Sequence, residues 1–250
     1  MNADQDDVGF VIPEVVNSTP PETPEETSNI VLASRELPDR IHLLPSASKP
    51  VFPGMMFPIV VGPGEEANTL KAVIRDTPER IVGFVMPKEE KERDDGAVIE
   101  RKLYRMGTAA RILRLDENPE GAIQALCQGQ KRFEILKAVE RDGTLMAHVI
   151  YPEDIVTESD DVKALSLAII NSMRELTNHN PLFSEEIKML LTRADWGEPG
   201  RLADFSVTMT SSTPWELQDV LECLDIKTRL EKALFLLRKE LDLNQLKEKI

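Results

Sequence analysis

Near Ile155 the hydrophobic period of this chain changes: apolar residues recur at every second position before it and at every third or fourth after it. A period of two sends alternate side chains to opposite faces of a strand, whereas three and four build one face of a helix. The chain is therefore expected to hold a β-rich part followed by an α-helical part. Alternation runs through 107–116, 121–129, 131–139 and 143–152, and shorter apolar runs stand at 41–45, 57–61 and 81–87. The breaks carry turn chemistry. Asn118-Pro119-Glu120-Gly121 and Arg141-Asp142-Gly143 read as hairpin turns, and Gly129 reads as an interruption between two strands. One helix is predicted inside this region at Glu65–Asp76, with Ala67, Leu70, Val73 and Ile74 on one face and Pro78 stopping it. Six or seven short strands with one helix predict a small, mostly antiparallel barrel or a pair of packed sheets.

After the change, Asp160 or Asp161 caps a helix whose Val162, Leu165, Ile169, Met173 and Leu176 form one stripe, ending before Asn180-Pro181. Ser184 caps a second, with Ile187, Leu190 and Leu191 facing inward, and a third runs through Leu202, Phe205, Val207 and Met209. Thr213-Pro214-Trp215-Glu216 is a capping box with proline in the first turn. From there to Ile250 there is no Gly, and no Pro beyond that turn, so one long helix is predicted, roughly 57 Å at ~1.5 Å per residue. Its second stripe, Leu230, Leu234, Leu237 and Leu241, is out of register with Leu217, Leu221 and Leu224. The distal half is therefore expected to project and meet a partner or another subunit. Upstream, residues 1–38 set Pro13, Pro20, Pro21 and Pro24 among carboxylates and read as a disordered acidic tail. The expected organisation is thus a tail at 1–38, a β-rich unit at 39–156 and a helical bundle at 160–250.

Charge and motifs narrow the chemistry. Thirty Lys and Arg against 44 Asp and Glu leave a net charge of −14, which opposes binding to nucleic acid or to an anionic membrane. No apolar run approaches the ~20 residues of a membrane span, and the first residues are acidic where a secretion signal would be basic, so a cytoplasmic location is expected. Cys127 and Cys223 lack a second Cys or His at ligand spacing and read as reduced core thiols. Phosphate-loop, nucleophile-elbow, zinc-helix and dithiol motifs are all absent. Gly62-Pro63-Gly64 precedes a helix, but acidic Glu65 and Glu66 follow and it reads as a turn. His42, His148 and His179 are scattered, and Asp94-Asp95 sits in a solvated charged run. No catalytic residue, cofactor or metal is expected. What stands out is Val51–Pro58, soft and apolar in a Pro/Gly loop. Phe52 and Phe57 are expected to reach the core, while Met55 and Met56 either plug the barrel or offer a deformable patch, since thioethers adapt to varied surfaces. Met55, Met56 and Phe57 are the candidate protein-contact residues.

Several stretches, in order, resemble the amino-terminal region of the Lon ATP-dependent proteases, peptidase family S16. They are LLPSASKPVFPGMMFPIVVG at 43–62, Tyr104 with Gly107-Thr108 and the AARIL that follows, Gly129-Gln130-Lys131-Arg132-Phe133, and the leucine-rich stretch 217–250. The chain departs from the family pattern at Pro63 and at Ser46-Ala47-Ser48-Lys49, where arginines are usual in the family. The resemblance implies an α+β fold: a pseudo-barrel like those of RNA-binding PUA domains, a helical bundle, and a long helix leading toward an ATPase ring. It also implies recognition of unfolded or degron-bearing proteins, and a hexamer if the chain is part of a full protease. With no stop signal before Ile250, the chain is expected to be the amino-terminal portion of a longer enzyme. A free-standing adaptor and, by fold analogy alone, an RNA-binding module are the alternatives.

Overall fold

Among the described residues six strands form where the sequence alternates: β1 Arg40–Pro45, β2 Met56–Val61, β3 Ile81–Val85, β4 Met106–Glu117, β5 Ile123–Arg141 and β6 Thr144–Ile150. They belong to a computed structural model that describes residues 37–45, 48–88, 103–141, 143–179 and 197–248. The strand order is β2-β5-β4-β3-β1-β6, and β6 also pairs with β5. That last pairing closes five strands into a barrel and leaves β2 as an outer edge. Only β1 and β3 run parallel among these pairs. Helix α1, Glu65–Asp76, supplies Ala67, Leu70 and Val73 to one face of the sheet, against Leu44, Phe84, Ile112 and Cys127. The barrel interior is filled by Ile41, Leu43, Ile81, Ile135 and the fully buried Phe133. Gly107 makes room for that ring, since a Cβ there would lie 2.5 Å from it and 2.3 Å from the Phe84 carbonyl oxygen.

The two strands expected on either side of Gly129 are one strand of 19 residues. Gly129 bends it without ending it. A Cβ at this position would sit 2.4 Å from the Phe52 carbonyl oxygen, so only glycine lets the 51–55 loop cross β5 this closely. The Gly129 N–H donates to Met55 O at 2.8 Å and its carbonyl accepts from Gly54 N at 3.0 Å. Next to it Gln130 is bulged out of the β4 pairing, where Gly129 faces Ala110 and Lys131 faces Ala109. The bend lets β5 serve two neighbours in turn, β2 along 123–128 and β6 along 134–141.

Among the described residues four helices follow: α2 Asp160–His179, α3 Pro199–Thr208, α4 Pro214–Leu221 and α5 Ile226–Glu248. Ile169 and Met173 of α2, Leu202 and Val207 of α3, and Leu217 and Leu221 of α4 share one core, which Phe52 and Met106 enter from the β-rich part. The helix expected to run unbroken from Thr213 is interrupted at 222–225. Two things stop it. Asp225 caps α5 by accepting from Thr228 N at 2.8 Å and Thr228 Oγ1 at 2.6 Å. The stretch after β6 then docks on the gap, Ile155 N donating to Leu224 O at 2.9 Å and Ile226 N to Ile155 O at 3.1 Å. The break re-phases the chain, so the stripe of Leu230, Leu234, Leu237 and Leu241 turns into the same core as Leu217 and Leu221 and is 0–9% exposed. These leucines therefore pack into the chain's own core instead of standing on a projecting helix. The tail before Leu37, the helix expected after Ser184, Asp94-Asp95 and the His179 side chain lie outside the described residues.

The capping box forms as expected. Thr213 Oγ1 accepts from Glu216 N at 3.4 Å, and Glu216 Oε2 accepts from Thr213 N at 2.9 Å. Lys239 of α5 meets the other Glu216 oxygen at 2.6 Å. This ammonium, with the Thr213 N–H, holds the carboxyl down at about 2. A carboxyl depressed on folding stabilises above its ordinary value near 4.5 and loses that contribution as pH falls toward 2. Thermal melts of Glu216→Gln should therefore differ most from the parent at neutral pH and converge on it across that acidic window. A constant difference at every pH would show that the charge plays no part.

Candidate protein-binding face

Strand alternation separates the three residues singled out in the loop. Phe57 points toward α1 and meets Phe84 edge-on, ring centroids 5.1 Å apart. Met55 is half-buried against the helical core that Phe52 enters. Of the three, only Met56 falls on the outward side of β2, with Pro58 and Val60. The hydroxyl of Thr108 donates to Val51 O at 2.5 Å and helps pin this loop where barrel and bundle meet.

The register of β2, β5 and β4 builds the rest of that outward face, because directly paired residues share a side. Met56 pairs with Gln128 and Gln128 with Arg111; Pro58 pairs with Leu126 and Leu126 with Arg114; Val60 pairs with Gln124 and Gln124 with Asp116. Val60 is 70% exposed, and Leu113 is 40% exposed where β4 bulges between Ile112 and Arg114. The result is an apolar row of Met56, Pro58, Val60 and Leu126 bordered by amides and two guanidinium groups. Arg114 is paired with Asp116 at 2.7 Å, and Arg111 forms no ion pair among the described residues. Pro58 lacks an N–H, which discourages addition of a further strand to the β2 edge, so a binder meets side chains here and not open backbone. Sequence reasoning found Met56 but missed Val60, Leu113, Leu126 and Arg111. The alternation around them was visible, while the pairing that sets them side by side was not.

An ionic cluster of buried Arg132, Asp204 and Arg229, with Asp154 at its solvent edge, fixes this face to the helices. Arg132 of β5, 5% exposed, forks onto Asp204 of α3 through Nη1–Oδ2 at 2.8 Å and Nη2–Oδ1 at 2.6 Å, and its Nε donates to Leu221 O at 2.8 Å. Arg229 of α5, with no exposed surface, forks onto Asp154 and reaches Asp204 at 3.8 Å. Its Nε donates to Cys223 O at 2.7 Å, inside the break between α4 and α5. Gln218 of α4 adds a bond to Met106 O at 3.0 Å. Two cations and two anions cancel, and each guanidinium is held by fixed geometry. Arg132 stands in one of the motifs singled out above; nothing in the sequence pattern marked Asp154, Asp204 or Arg229 as its companions.

Burial governs two titratable groups of the β-rich part. Burial pushes the Cys127 thiol up to about 12, so it is protonated at neutral pH. Burial lowers the pKa of His42, whose Nδ1 has no hydrogen-bond partner. Among the described residues no group of three or more His, Cys, Asp or Glu could hold a metal ion, and no helix is long and apolar enough to cross a membrane.

Residues 40–239 match the family model described as the ATP-dependent protease La (LON) substrate-binding domain. Lon protease of Protochlamydia amoebophila is 37% identical over 225 residues, and that of Chlamydia pneumoniae 38% identical over 226. Each alignment takes in 90% of this chain and 27% of the relative, so the chain spans about a quarter of the length of these proteins. Among solved structures, the N-terminal domain of Mycobacterium avium complex Lon protease superposes with a TM-score of 0.65 at 19% identity, covering 80% of this chain and 98% of that one. A Lon N-terminal domain protein from Xanthomonas campestris gives 0.54 at 16% identity, covering 78% and 96%. At such identities the structural likeness speaks for the α+β fold alone.

Proposed function

The chain belongs to the family of Lon protease substrate-binding domains, and from that premise we propose that it recognises unfolded or degron-bearing proteins through the outward face of β2, β5 and β4. The observation that carries this reading is the apolar row on the outward side of the sheet, in which Pro58 and Val60 are exposed and Met56 and Leu126 half-buried. Such a row removes apolar side chains of many sequences from water without demanding one of them. The amide and guanidinium border of Gln124, Gln128 and Arg111 supplies hydrogen bonds to an extended backbone. In this reading the module delivers clients, in the cytoplasm, to the ATPase and protease modules of a Lon-type serine protease whose subunits assemble as a hexamer. The arginine–aspartate cluster keeps the face in fixed register with the helices.

Fluorescence anisotropy with a labelled, permanently unfolded protein tests it. The triple variant Met56→Ser, Val60→Ser, Leu126→Ser is expected to bind about tenfold or more weakly, given ~1.4 kcal/mol per decade and three half-exposed apolar side chains. Its melting temperature should fall by only a few degrees, because Val60 is exposed and Met56 and Leu126 are no more than half-buried. Met55→Ser serves as contrast: it should lower stability through the helical core and leave affinity nearly unchanged. Equal affinity for parent and triple variant would remove this face from consideration.

A further inference from the structure

The outward side of α5 carries a charge order that is its own complement when reversed. Lys227, Glu231, Phe235, Arg238 and Asp242 lie within an arc of about 80°, at ~100° per residue, and read plus, minus, aromatic, plus, minus. Phe235 is 66% exposed, although Leu230, Leu234 and Leu237 of the same helix are buried. Glu231, Arg238 and Asp242 form no ion pair among the described residues, while Lys227 meets Asp161 of α2 at 2.5 Å. Beside the aromatic runs a shallow groove between α2 and α5, floored by Ala164, Leu165, Ala168 and Leu234. Its small side chains allow close approach.

We propose that this face is a homotypic interface, in which α5 of one copy lies antiparallel to α5 of a second about a two-fold axis passing between Leu234 and Phe235. That axis sets Glu231 opposite Arg238 of the second copy and Lys227 opposite Asp242 of the second copy, with each reciprocal pair made as well. Phe235 then meets Leu234 of the other copy and enters its alanine-lined groove. A parallel arrangement in the same register would set like charges opposite one another, so the charge order selects the antiparallel one. A second copy is the occupant this pattern fits, because the surface supplies both halves of every pair. The client-binding face is built from β2, β5 and β4 and shares no residue with this one.

Sedimentation equilibrium of the full chain tests it. The parent is expected to form dimers at high micromolar to millimolar concentration. Phe235→Ser should leave it monomeric across that range. Arg238→Glu, which sets two carboxylates against each other twice over, should weaken the dimer by about tenfold or more. The charge-swapped double variant Glu231→Arg, Arg238→Glu should restore it, an outcome that generic loss of structure would not produce. All positions are exposed, so melting curves at low concentration should coincide. A parent that stays monomeric at millimolar concentration, a dimer indifferent to Phe235→Ser, or a double variant no tighter than Arg238→Glu would each overturn the proposal.

Discussion

Replacing Asp204 by alanine should destabilise the protein by about 3–5 kcal/mol, the range for removing one partner of a buried ion pair. Arg132 is 5% exposed and loses both bonds of its fork, keeping only Leu221 O, so a full positive charge is left in the interior. Arg229, 3.8 Å from the same carboxylate, then keeps Asp154 while Arg132 keeps no carboxylate partner. Asp204→Asn keeps the shape and removes only the charge, and should fall between alanine and the parent. The double variant Arg132→Met, Asp204→Leu should lose much less than the sum of its single changes, because an apolar pair of similar volume needs no compensating charge. Urea unfolding followed by circular dichroism reads the parent, these variants and the single changes Arg132→Met and Asp204→Leu. A loss under about 1 kcal/mol for Asp204→Ala would mean that the cluster is hydrated and does not join barrel to bundle.

Leu237→Ala should cost about 2–5 kcal/mol, the range for truncating a buried leucine. Leu237 has no exposed surface and packs in the core that α2, α3 and α4 share. The same substitution at an exposed position on a projecting helix would change stability by no more than about 0.5 kcal/mol. The measurement therefore separates the two geometries for the second leucine stripe by a wide margin. Leu246→Ala, 56% exposed near the end of α5, is the internal control and should stay within that smaller range. If the two variants unfold at the same urea concentration, α5 is not docked as described.

The candidate face shows how far residue patterns reach. Met56 was legible because a methionine in a Pro/Gly loop has few structural reasons to be there. Val60 shares a side with Met56 by alternation within β2, whereas Leu126 and Arg111 were legible only as alternating strand residues, since their adjacency to Met56 depends on register between segments some 55–70 positions apart. Phe57 was grouped with Met56 although adjacent strand residues point to opposite sides, and the structure sends it to the α1 core. The Asp225 cap was readable in principle, an Asp three positions before Thr228, yet nothing nearby in the sequence required the helix to stop there.

What the order of residues decided are the local matters: which segments are strands and which helices, where the capping box lies, and that no catalytic motif is present. Each depends on interactions between residues a few positions apart, and periodicity and capping report those directly. Tertiary structure decided the rest. It made one bent strand of two, because the 51–55 loop crosses at Gly129. It broke one helix into two, because Ile155 and Arg229 bind the backbone groups that a continuous helix would have used internally. It gathered Arg132, Asp154, Asp204 and Arg229 from four separate segments into a neutral cluster. A buried charge is tolerable only beside its partners, and those partners come together only when the chain closes on itself.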